Sequence, residues 1–306
     1  MQFVDRAVIR PKRLQRGDTI GIVAPSSPFD QKAFDRGIQV IREAGFSIHE
    51  APDLLLREGY LAGSDRQRAG QFNAMIEDDR ADAVMCARGG FGALRILDRL
   101  DFDAIGRQAK PLIGFSDITA LHQAVFLKSG LATFHGPTVT TLASADDATL
   151  SAWYEALTNP KPLIFDLSGA VVLHPGKARG PVRGGNLTTL CHLLGTAYLE
   201  PFYGALLFLE DTGEALYRID RMLTQMKMTG LVDGIAGLML GSFKDCGAEG
   251  ALHELVKDLF RREDIPIVAG LDIGHGNCNR TIPLGIAACL DSGSGTLEFL
   301  TAAVGG

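Results

Sequence analysis

The chain has 306 residues, 46% of them hydrophobic, and a formal net charge of −6. That length suggests about two domains of ~150 residues, with enough apolar content for a full core. No Lys/Arg run reads as a nucleic-acid or membrane patch, no stretch approaches the ~20 apolar residues of a membrane span, and an acidic protein must hold any anionic substrate with local donors.

Residues 1–12 mix Asp5, Arg6, Arg10 and Lys12 with short apolar pieces and have no hydrophobic core of signal-peptide length. The five cysteines are scattered and form no CxxC pair. Reduced thiols and a cytoplasmic setting are the expectation. Thr19–Ala24 is a buried-strand signal closed by Pro25, and residues 31–44 read as a helix stopped by Gly45. A short strand is expected at 46–50, a helix at 65–77 and a strong strand at 82–87, ending in Arg88-Gly89-Gly90. Pro111–Phe115 is a further strand ending at Ser116, after which Asp117 is expected to cap a helix to about Lys128. Strands alternating with helices predict βαβ units and a mostly parallel sheet.

The helical pattern breaks at Asn159-Pro160-Lys161-Pro162. Short β segments are expected over 163–173 and a loop over 175–181. The predicted division is a first domain at 1–160, a linker at 161–180 and a second domain at 181–306. The second half should carry strands at 205–209, 235–240 and 267–269, with helices at 187–194, 216–228 and 251–262. Leu216, Ile219, Leu223 and Met226 share one helical face, which reads as core. Residues 286–290 and 296–300 resemble a β-hairpin.

Ligands of open α/β sheets bind beyond the carboxyl ends of strands. Four polar or glycine-rich segments lie there: 25–28, 88–92, 116–117 and 210–213. Ser116 sits at a strand-to-helix turn resembling a nucleophile elbow, although residue 118 is Ile where G-x-S-x-G has Gly. A serine that merely caps the helix is the plainer alternative. Arg88-Gly89-Gly90-Phe91-Gly92 lacks the Walker lysine and the dinucleotide spacing. It reads as a turn bringing a bare N–H toward substrate, or as an ordinary tight turn. A nucleophilic serine needs a base and an orienting acid. Of seven histidines, His122 is on the wrong part of its helix, His192 and His253 lie in helical patterns, and His49 and His174 lack supporting residues. His135 and His275 remain. Glu210, at the end of an apolar strand, is the candidate acid, with Asp211 as its neighbour on the opposite face. No HExxH or clustered His/Cys set calls for a metal, and no cofactor is expected.

Taken together, Gly17–Pro28, Ala87–Gly92, Gly114–Leu121, His135-Gly136-Pro137, Arg183–Leu187, Leu209-Glu210-Asp211, Tyr217–Leu223, Gly274-His275 and Pro283-Leu284-Gly285 resemble the LD-carboxypeptidase family of serine peptidases. The resemblance covers nearly the whole chain. It implies a flavodoxin-like N-terminal α/β domain and a smaller C-terminal α/β domain, with the site between them. It also implies a Ser116–His275–Glu210 triad and oxyanion donors at the backbone N–H groups of Asp117 and Gly90. The implied reaction is hydrolysis of the L–D bond to a terminal D-alanine in murein tetrapeptides, in cytoplasmic recycling. The partner set would be a murein peptide, without nucleic acid or membrane and with room for a homodimer. Arg88 and Arg183, each beside a glycine pair, are the candidates to read the substrate carboxylate. Two alternatives stand beside this: a self-immunity peptidase acting on a peptide-nucleotide antibiotic, and a non-catalytic ligand-binding protein on a two-domain α/β scaffold.

Overall fold

A computed structural model describes residues 7–305; residues 1–6, with Asp5 and Arg6, and residue 306 lie outside the described residues. The first half runs β1 (Thr19–Val23), α1 (Gln31–Glu43), β2 (Ser47–Glu50), α2 (Asp65–Glu77), β3 (Ala83–Cys86), α3 (Phe102–Gln108), β4 (Leu112–Gly114), α4 (Thr119–Ser129), β5 (Thr133–His135), α5 (Val139–Leu142) and α6 (Asp147–Thr158). Local signals explain the boundaries. The Asp30 side chain accepts from Ala33 N at the start of α1, and Gly45 follows its end with φ 96°. Ser64 and Gln67 form a capping box that starts α2.

The second half runs β6 (Ile164–Asp166), β7 (Val171–His174), β8 (Lys177–Asn186), α7 (Leu187–His192), β9 (Leu206–Thr212), α8 (Leu216–Met228), β10 (Gly237–Lys244), α9 (Glu249–Leu259), β11 (Ile267–Ala269), β12 (Ile282–Leu284), β13 (Ala287–Asp291) and β14 (Thr296–Phe299). Two sheets result. One has six strands in the order β12-β5-β4-β3-β1-β2, and the other has eight in the order β6-β14-β13-β8-β9-β10-β11-β7. Within the first, β2-β1-β3-β4-β5 are parallel, which is the flavodoxin-like order. The second is parallel at its centre, β8 to β11, and antiparallel at its flanks.

Four expectations change. Residues 161–180 are not a free linker, because β6 and β7 form the two edges of the eight-stranded sheet and β8 begins at Lys177. The prolines and glycines that suggested a loop at 175–181 lie where β8 hands over from β13, paired through Pro181, to β9, paired from Val182. The C-terminal part also returns to the first sheet. β12 pairs with β5 through Ile282 and His135, and Gly305 exchanges backbone bonds with Pro11 and Arg13. Finally, Asp117 does not cap α4. Residues 116–118 form one tight turn before α4 with no side-chain cap, and the Asp117 carboxylate turns inward.

Period-two alternation along β9 sorts the cores. Leu206 and Phe208 join the large core shared with the first sheet, while Leu207 and Leu209 face the smaller core under α8 and α9. Ile219, Leu223 and Met226 of α8 fill that second core as the pattern predicts.

Two histidines are buried between the sheets. His122 Nε2 bonds to Gly114 O at 2.8 Å, and His135 packs edge-on against Phe115 and Phe208. Burial pulls the His122 pKa down to about 4 and that of His135 well below the ordinary value. The unfolded chain therefore binds protons that the folded chain refuses, beginning near the ordinary ~6.5. Stability should fall as pH drops through that window, by about 2 kcal/mol at pH ~5 for His122 alone. Urea midpoints at neutral and acidic pH should show a shallower acid slope for His122→Gln than for the wild-type chain. Equal slopes would contradict this.

Candidate active site

Ser116 follows β4 with φ 66°, a conformation disfavoured for any side-chain-bearing residue. Such strain at a strand-to-helix turn is what a nucleophile elbow stores. The residue is half-buried. The glycine-rich loop after β3 lies directly against it. A Cβ at Gly89 would stand 2.9 Å from Ser116 Cβ, so only glycine fits there. Ser27, from the loop after β1, holds that loop on both sides of Gly90. Its N–H donates to Gly89 O at 3.3 Å, and its hydroxyl accepts from Phe91 N at 3.0 Å. The Gly90 N–H takes no protein acceptor among the described residues.

Glu210 and His275 come from the eight-stranded sheet. Glu210 ends the apolar run of β9 on the face toward the first sheet and has no exposed surface. Its Oε2 accepts from His275 Nδ1 at 2.6 Å and from the His275 N–H at 3.2 Å. Gly274, with φ 106°, permits this, since a Cβ there would stand 2.5 Å from Glu210 Oε2. Asn279 closes the loop by accepting from Gly274 N at 2.8 Å. The His275 ring lies against Phe115, the residue before Ser116, with ring centroids 4.8 Å apart. No hydrogen bond joins Ser116 Oγ to His275 among the described residues; such bonds often tighten only with substrate in place. Burial lowers the His275 pKa, but the bond and charge of Glu210 outweigh it and leave the pKa above the ordinary imidazole value.

The halves are held together beside Ser116. Thr119 Oγ1 at the start of α4 accepts from Asn186 N at 3.0 Å, and Gln123 Nε2 donates to Gly184 O at 2.9 Å. A Cβ at Gly184 or Gly185 would collide with Phe208 O or Thr119 Oγ1, which explains the Gly184-Gly185 pair. Asn186 is in register with Glu210 across β8 and β9, so the same contact that docks α4 sets the distance to the acid.

The remaining candidates separate clearly. His135 has no exposed surface, and neither ring nitrogen has a protein hydrogen-bond partner among the described residues. It fills the wall behind Phe115. Asp211 faces the other way from Glu210 and serves α7, accepting from Thr188 N at 2.9 Å and Asn186 Nδ2 at 3.0 Å. His49 and His174 have local partners in Asp78 and Ile265 O. Arg88 is exposed, with Nη1 on Pro28 O at 2.8 Å, at the mouth of the glycine-rich loop. Arg183 is not there. It is buried between the rings of Phe126 and Phe202 and pairs with Glu200 at 3.1 Å. Phe126 lies ten residues, or ~15 Å, along the helix from Ser116, so this cation braces the two halves. Sequence reasoning missed the support of Ser27 and Asn279. Their only signal was a polar residue in a loop that follows a strand.

Family models of the LD-carboxypeptidase N-terminal domain and C-terminal domain match residues 20–136 and 179–290. A Streptomyces coelicolor protein named as a carboxypeptidase is 40% identical over 96% of this chain and 97% of its own. A Bacillus subtilis protein named as a murein peptide carboxypeptidase is 37% identical over 94% of this chain and 93% of its own. Among solved structures, the microcin C7 self-immunity protein MccF superposes with a TM-score of 0.91 at 25% identity, covering 97% of this chain and 99% of that one. The chain belongs to the LD-carboxypeptidase family, and is a serine-type carboxypeptidase.

The His275–Glu210 pair can be tested by NMR titration. The His275 pKa should lie above ~6.5 in the native chain. In Glu210→Gln, with the charge gone and burial left, it should fall below that value. An unchanged pKa would show that the pair does not govern the imidazole.

Proposed function

We propose that this carboxypeptidase hydrolyses the L–D peptide bond to a terminal D-alanine in murein tetrapeptides, with Ser116 as nucleophile, His275 as base and Glu210 as its orienting acid. The observation that carries the reading is the pairing of His275 Nδ1 with a fully buried carboxylate while the ring packs beside the strained Ser116 turn. With Nδ1 committed to Glu210, Nε2 is the nitrogen available to take the Ser116 proton. The hydroxyl oxygen attacks the carbonyl carbon. The oxyanion forms against the N–H groups of Gly90 and Asp117, the second being a first-turn donor without a helical acceptor. Collapse expels D-alanine, which takes the proton from His275, and water repeats the sequence on the acyl-enzyme. In this reading the 1–160 part supplies the nucleophile and the 181–306 part the base and acid. The step needs no Lewis acid, so activity should survive dialysis against EDTA.

The murein substrate is favoured by the name of the Bacillus subtilis relative, and a cytoplasmic recycling role goes with it. The fold similarity to MccF supports a second reading, a peptide-nucleotide antibiotic as substrate. Arg88 is the remaining candidate for the terminal carboxylate, since its fork has donors beyond the one used on Pro28 O.

Ser116→Ala should lower turnover by roughly 10⁶, and the Ser116→Ala/His275→Ala double variant should be scarcely worse, because the two act as a unit. Retention of a tenth of wild-type activity would refute the nucleophile. Substrate choice is tested by kcat/KM for a tetrapeptide ending in D-alanine, its C-terminal amide and its L-alanine epimer, beside an aminoacyl-nucleotide conjugate. The free D-terminus should be preferred, with the amide losing ~2–5 kcal/mol of binding if a cation reads the carboxylate. Equal rates for the three peptides would make the protein a general hydrolase.

A further inference from the structure

The side chain of Asp117 has no part in the chemistry above, yet it is the best-held buried acid beside Ser116. It is 7% exposed, and one oxygen, Oδ2, accepts from both Ser26 Oγ at 2.6 Å and Ala93 N at 2.8 Å. These residues belong to three strand-end loops: Ser26 after β1, Ala93 at the close of the glycine-rich loop after β3, and Asp117 directly after Ser116. A buried carboxylate is costly unless its lone pairs are met, so this bond set is a strong constraint on how the loops sit. Arg68, with no exposed surface, reinforces it by donating to the carbonyls of Pro25, Gly63 and Gly92.

The consequence falls on the two backbone donors. The Gly90 N–H and the Asp117 N–H lie on different loops, and nothing in the covalent chain makes them converge. Ser27 grips the residues on either side of Gly90, and Ser26, its neighbour, grips the Asp117 carboxylate. We propose that the Asp117 carboxylate is a positioning residue that sets these two N–H groups onto one oxyanion site. This rests on the assignment of those donors under the proposed function. Its role is that of a double acceptor and not of a charge, since a negative charge near a developing oxyanion opposes it. Misplaced donors weaken the transition state and leave ground-state binding alone.

The test measures kcat, KM, the rate of fluorophosphonate labelling at Ser116 and the thermal midpoint for Asp117→Ala, Asp117→Asn and Ser26→Ala. Asp117→Ala should lower kcat by about 10²-fold and slow labelling comparably, with KM within about twofold. Asp117→Asn keeps an oxygen that can accept both donors and should recover most of the loss. Ser26→Ala, which removes one of the two bonds, should fall between. If Asp117→Ala does not fold, the other two variants carry the comparison. A folded Asp117→Ala that labels at the wild-type rate overturns the proposal, as does a loss expressed in KM alone or a folded Asp117→Asn no better than the alanine. Failure of the wild-type chain to label at Ser116 overturns the functional reading on which the proposal rests.

Discussion

Glu210 is a carboxylate without exposed surface whose Oε2 accepts both the His275 N–H and the His275 ring. A charge in that position is tolerable only if it is paired and hydrogen-bonded. The local sequence is arranged around meeting that condition. Gly274 removes the Cβ that would occupy the carboxylate's space, and Asn279 ties Gly274 in place. Alternation along β9 sends Glu210 toward the first sheet and leaves Asp211 to anchor α7. The imidazole gains orientation, tautomer and basicity from the one contact.

The proposed nucleophile and the proposed base and acid are divided between two sheets, so the proposed mechanism depends equally on how the sheets meet. The contact is close because Gly185 presents bare backbone to Thr119, while Gln123 donates to Gly184 O, both from the helix that follows Ser116. Arg183 extends the same seam through its Phe126, Phe202 and Glu200 contacts. Return of β12 to the first sheet, and of Gly305 to Pro11, makes the second half part of the first half's fold. In the proposed mechanism, Ser116 and His275 would be brought together by packing across this seam.

Much of this was legible in the sequence, for physical reasons. The bounds of α2, α8 and β11 follow from a capping box, an amphipathic face and a short apolar run, all local signals. Ser116, Glu210 and His275 stood out as candidates because each lies at a strand end or between glycines, and His275 was preferred over His135 only through the family resemblance. β8 was not visible, because its Pro181 and paired glycines obey a long-range demand for close approach that local propensity reads as loop. The inward turn of Asp117 depends on Ser26 and Ala93, which are distant in sequence. For Arg183, a glycine pair beside an arginine suggested a substrate site, whereas its partners on α4 and near β9 made it a brace.

The central claim is that Ser116 attacks the substrate carbonyl with His275 as its base. Rapid acid quench of a turnover mixture with a murein tetrapeptide, followed by intact and fragment mass measurement, reads this directly. The account predicts a transient mass increase equal to the acyl tripeptide, mapped to Ser116 and absent in Ser116→Ala. Full turnover with no adduct at any time, or an adduct on another residue, would contradict it.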